Sequence, residues 1–136
     1  MSLLVECEDG VYRIELSDEG EEIAEFAPGE TLPPRPRPLE LVPPFASSQL
    51  VDVVAEGALI ALIVDRRPPL LVSHDAGQTW NERGGGLPPG RALAVGESPD
   101  QMAYAGRNRL FVSNDGGRFW SALVVELPEI RGVAWE

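Results

Sequence analysis

The sequence predicts an all-β chain built from four-stranded antiparallel units, and three observations carry that expectation. First, thirteen prolines and fourteen glycines interrupt the 136 residues, and no stretch sustains an apolar i, i+3, i+4 period over three helical turns. Second, the pattern S-x-D-x-G-x-x-W occurs twice, over Ser73–Trp80 and Ser113–Trp120, forty residues apart. Third, each copy follows a short apolar run, Leu70–Val72 or Leu110–Val112, as a strand entering a tight turn would. Four strands in about forty residues is the unit from which β-propeller blades are made.

Taken in order, Leu3–Cys7, Val11–Leu16 and Ile23–Phe26 are short runs of β-like composition separated by Gly10 and Gly20, which reads as a meander. Residues 29–48 then hold Pro33, Pro34, Pro36, Pro38, Pro43 and Pro44. Such a segment cannot pair in a central strand, so it is expected to be a stiff connector. The first full unit occupies 50–83, with strands expected over Leu50–Ala55, Ala58–Val64, Leu70–Ser73 and Thr79–Glu82. The second occupies 91–125, with Ala92–Gly96, Met102–Ala105, Leu110–Ser113 and Phe119–Val125.

Residues 1–27 supply only three strands, and Ser17-Asp18-Glu19-Gly20 is a shortened copy of the repeated turn without its Trp. The missing first strand is found at the other end, where Arg131–Glu136 has the pattern of Arg91–Gly96 with nothing after it. One domain over 1–136 therefore codes for three blades: 1–27 completed by 131–136, then 50–83 and 91–125. Propellers close with about four to eight blades. The economical assembly is a two-fold homodimer whose C-terminal strand pairs with the partner's N-terminal strands to give six blades.

The repeated turn has a physical logic. Its Asp carboxylate can accept backbone N–H bonds across the bend, and its Gly can adopt positive φ. On these residues, Ser73, Asp75, Gly77 and Trp80 with Ser113, Asp115, Gly117 and Trp120, the chain resembles the Asp-box, or bacterial neuraminidase repeat, propellers. The stretch Ala94–Gly106 followed by Leu110–Trp120 looks like the repeat of photosystem assembly factors, sortilin-type receptors and xyloglucan-cleaving hydrolases. The resemblance implies that the Asp-box joins the third and fourth strands of a blade on the rim opposite the ligand face, and that its residues are structural.

Charge narrows the function. Eleven arginines, no lysine and twenty-two acids give a net charge of −11, which argues against nucleic-acid or anionic-membrane binding. Cys7 is the only cysteine, so neither a disulfide nor a cysteine-based zinc site is expected. No metal site and no cofactor are expected either. The longest apolar run, Ala58–Val64, is far short of the ~20 residues needed to span a bilayer, and a cytoplasmic location is the expectation.

On the propeller layout the loops opposite the Asp-box turns carry the arginines. Arg66, Arg67, Arg107 and Arg109 are the candidate ligand-binding residues, since planar guanidinium groups suit carboxylate or phosphate recognition. The competing expectation is that such arginines simply pair with nearby acids. A hydrolase of the sialidase or glycosidase kind is the alternative function. It lacks candidates: Tyr12 and Tyr104 are the only tyrosines and fall in expected strands, His74 sits in a variable turn position, and no catalytic residue is assigned. The expected function is a non-catalytic binding or scaffolding module for a protein or anionic glycan partner.

Overall fold

The computed structural model describes residues 1–34 and 50–136. Most of the expected connector, with Arg35 and Arg37, lies outside the described residues. The chain begins with β1 (Ser2–Cys7), β2 (Gly10–Leu16) and β3 (Glu22–Phe26). After the connector come β4 (Leu50–Glu56), β5 (Leu59–Val64), β6 (Leu70–Ser73) and β7 (Asn81–Arg83). β8 (Ala92–Val95), β9 (Met102–Ala105), β10 (Arg109–Ser113), β11 (Ser121–Glu126) and β12 (Ile130–Trp135) follow.

These strands form three antiparallel sheets of four, ordered β12-β1-β2-β3, β4-β5-β6-β7 and β8-β9-β10-β11. In the first sheet β12 pairs with β1 of the same chain, matching Leu3 with Trp135 and Val5 with Val133. Within this one chain the pairing is made with the chain's own β1, whereas the expectation placed it between two copies. Intrachain pairing satisfies the β1 edge that was expected to recruit a partner.

Inner strands β12, β8 and β4 lie side by side in that order, so the β8–β11 sheet is sandwiched between the other two. Its sequence reads accordingly. A strand covered on both faces is apolar at every position, and in β9 Ala103 and Ala105 join the core shared with the first sheet while Met102 and Tyr104 join the core shared with the second. The small side chains leave room for Leu3, Val5, Ile14, Ile130 and Val133 of the first sheet. Fully burying an aliphatic side chain of this size contributes about 1.5–3 kcal/mol.

The two outer faces of the stack differ. On the second sheet, Val53, Leu62, Val64 and Leu71 form a third apolar cluster with Trp80 at its margin, and Leu62 and Leu71 are fully buried. On the first sheet the corresponding face is mixed, with Leu4 and Val11 buried beside polar groups. Arg13 grips Glu136 through Nε and Nη2, each at 2.7 Å, and Ser2 Oγ donates to the same carboxylate. The Arg13 guanidinium, followed by the Ser2 hydroxyl, holds the Glu136 carboxyl down at about 2.

The expected fourth strands began too early: β7 starts at Asn81 and β11 at Ser121 rather than at Thr79 and Phe119. The reason is local. Thr79 N–H and Phe119 N–H are each bonded to the turn's Asp carboxylate and are not free to join a ladder.

Candidate functional site

The two repeated turns have the same hydrogen-bond plan. Buried Ser73 sends Oγ–H to Asp75 Oδ1 at 2.8 Å and accepts Gly77 N–H at 2.8 Å. Ser113 repeats this with Asp115 at 2.7 Å and Gly117 at 3.0 Å. Each Asp Oδ1 then takes the N–H four residues on, from Thr79 at 2.8 Å and from Phe119 at 3.0 Å. Gly77 and Gly117 have φ of 93° and 88°, which a residue with a Cβ adopts only under strain. Both carboxyls are held below their ordinary value by these donors. Both Ser hydroxyls and both Asp Oδ1 atoms are engaged within their own turns. His74 is exposed.

In the first sheet the corresponding turn is simpler, with Ser17 Oγ accepting from Glu21 N–H at 2.9 Å.

Strand alternation puts the loops between β5 and β6, β7 and β8, β9 and β10, and β11 and β12 at the opposite end from these turns. The four candidate arginines fall in two separate places there. Arg66 and Arg67 line a hollow of about 290 Å³ with Asp65, Leu87 and Pro89, whereas Arg107 and Arg109 do not line it. Three of the four meet acids: Arg66 with Glu82 at 2.9 Å, Arg109 with Glu126 at 2.6 Å, and Arg107 with Glu129 at 3.9 Å. Of these pairs, Arg109 and Glu126 are register partners on β10 and β11. Arg67 is exposed.

Between the inner strands lies a groove of about 600 Å³ that sequence reasoning missed. Its walls come from β4, β8 and β12, and Leu32, Pro33 and Pro34 border it. Leu32 reaches it by crossing Gly132, where an added Cβ would stand 3.1 Å from Leu32 Cδ2. The polar lining consists of Asp52, Glu56, Arg91 and Arg131, with Trp135 also in the wall. Arg91 and Arg131 are forty residues apart and therefore occupy equivalent positions at the start of β8 and β12. Arg91 pairs with Glu129 at 3.0 Å.

Asp52 is buried, and its carboxylate ties two sheets together. Oδ1 accepts Val53 N–H at 2.8 Å and Oδ2 accepts Leu93 N–H on β8 at 2.9 Å. The signal was present in the sequence as one acid inside Leu50-Val51-Asp52-Val53-Val54, where the next unit has Ala92. With both oxygens engaged, Asp52 acts as a brace between inner strands and not as one of a free carboxylate pair.

Cys7 is buried, and burial, followed by Asp9, Glu8 and Glu6, pushes its thiol up to about 11. Among the described residues no group of three or more His, Cys, Asp or Glu could hold a metal ion, and no helix is long and apolar enough to cross a membrane.

No family model matches the sequence. No curated protein matches it either. Among solved structures the chain is similar to one described as YCF48 bound to D1 peptide, with a TM-score of 0.50 and 20% identity. The match covers 88% of this chain and 38% of that one, so the chain spans well under half of its structural neighbour. The likeness bears on fold and supports a β-propeller-type architecture. The likeness does not extend to an Asp-box or sialidase relationship.

Proposed function

We propose that the chain is a non-catalytic binding module of the propeller type, and that the groove between β4, β8 and β12 takes an extended, carboxylate-bearing segment of a partner protein. One observation carries this reading: the groove places Arg91 and Arg131 at equivalent positions of adjacent inner strands. Guanidinium forks are suited to carboxylates, and inner-strand edges offer backbone groups to an extended chain. A structural neighbour has been solved with a peptide bound, which supports looking for a peptide here. The test is fluorescence anisotropy with labelled acidic peptides. Arg91→Ala with Arg131→Ala should weaken binding roughly tenfold or more. Unchanged affinity in that variant would remove the groove from the proposal.

The hollow beside Arg66 and Arg67 is a second anion site in this reading, suited to an acidic sugar or small carboxylate. Exposed Arg67 favours it. Thermal shift with sialic and uronic acids, repeated on the Arg66→Ala/Arg67→Ala variant, separates it from the groove. A six-bladed ring made by two copies is the alternative assembly, and it draws on the chain's spanning 38% of a propeller-type neighbour. It must bring the outer face of the second sheet, where Leu62 and Leu71 are already buried, against the outer face of the first. Light scattering that gave a folded species of single-chain mass would end it.

A further inference from the structure

We propose that Glu22 is a clasp that locks the outer rim of the first sheet to that of the β8–β11 sheet and guards the free edge of β11 against strand addition. Val124 N–H donates to Glu22 Oε2 at 2.7 Å and Oε1 at 3.0 Å, and Val125 N–H donates to Oε1 at 3.0 Å. Successive amides of a regular strand point to opposite sides and cannot share one acceptor. They converge here because the β10–β11 ladder is irregular: Arg109 pairs with Glu126 and Phe111 with Ala122, which leaves Leu123–Val125 as a bulge. Converging amides of this kind form a concave anion site, and Glu22 fills it from the start of β3.

The location explains the need. β7, the outer strand of the second sheet, has three residues, whereas β11 has six. An outer strand presents unpaired N–H and C=O groups to any extended chain. β11 also carries Val124 at 82% exposure and follows Phe119 at 80%, so it has the apolar side chains that favour strand stacking. A carboxylate on the Val124 and Val125 amides, together with the bulge, interrupts the run of donors that an incoming strand would use. At the opposite end the two sheets meet through Ile130 N–H, which donates to Arg107 O at 2.8 Å, and through the ion pair of Arg91 with Glu129.

Hydrogen exchange of the full chain tests this, with Glu25→Ala as the control that removes a neighbouring charge from the same strand. Glu22→Ala should speed exchange at Val124 and Val125 by at least about tenfold, leave β9 and β10 amides protected, and raise the average mass with concentration. Glu22→Gln keeps one carbonyl acceptor and should fall between. Wild-type exchange rates at both amides in either folded Glu22 variant would overturn the clasp, as would an equal effect of Glu25→Ala. Faster exchange without any gain in self-association would overturn the guarding role.

Discussion

The two repeated turns share a backbone plan but differ in what surrounds them. The turn at 73–80 belongs to an outer sheet, and Gly77 is half-buried with its nearest would-be Cβ contact 3.5 Å away on Trp80. The turn at 113–120 belongs to the sandwiched sheet, and Gly117 is buried with a would-be Cβ 3.3 Å from Leu70 Cδ2 and 3.4 Å from Met102 Sδ. Their side chains diverge in the reverse sense. Thr79 adds a hydroxyl bond to Asp75 Oδ2, whereas the equivalent Phe119 points into solvent. A repeat can thus keep one geometry while one copy is secured by packing and the other by polar contacts.

The largest effect should come from Gly117→Ala, which adds crowding to left-handed strain and should cost about 2–3 kcal/mol in urea unfolding. Gly77→Ala carries the strain without the crowding and should cost about 1 kcal/mol. Equal losses would mean that the sandwiched position makes no difference. Next, Ser73→Ala and Ser113→Ala should each cost about 1–2 kcal/mol, because both hydroxyls are buried and serve two partners. A clear inequality between them would break the shared hydrogen-bond plan.

Smaller still is the exchange of the divergent side chains. Thr79→Val should destabilise by under about 1 kcal/mol, and Phe119→Thr should gain a comparable amount by supplying the missing hydroxyl. The pH dependence follows the same contact. The Thr79 hydroxyl and N–H, then the Ser73 hydroxyl, hold Asp75 at about 2, below its ordinary 3.8. A lowered folded-state value means that the contribution is present above pH 3.8 and is lost as pH falls towards about 2. NMR titration should find the Asp75 value raised in Thr79→Val and the Asp115 value unmoved.

Strand positions were legible because apolar runs and turn residues are local signals, and the repeat supplied the period. Leu70–Ser73 and Met102–Ala105 were placed to the residue. Strand ends beside the turns were not, because the Thr79 and Phe119 amides are taken by the Asp four residues back, a side-chain bond that apolar patterning does not register. The site was harder. Arg109 faces Glu126 because the two are cross-strand neighbours, and no one-dimensional pattern gives register. The groove was invisible for a related reason: it exists only where three inner strands from distant parts of the chain come together. Sequence also could not distinguish pairing of β12 with its own β1 from pairing with a second copy, because the same side chains would meet in both.

That closing pair has a kinetic meaning. Ser2 and Glu136 are 134 residues apart yet share a hydrogen bond, and Glu136 N–H also donates to Ser2 O at 3.0 Å. During synthesis β1, β2 and β3 emerge before β12 and must wait for it, so their sheet is completed only after the strands of the other two have been made. Contacts of such long range slow folding and leave an unpaired edge open in the interval. The same adjacency gives a remedy. A circular permutant that links residue 136 to residue 1 through a short glycine-serine bridge would turn the slowest pairing into a hairpin, and it should fold faster to the same three sheets.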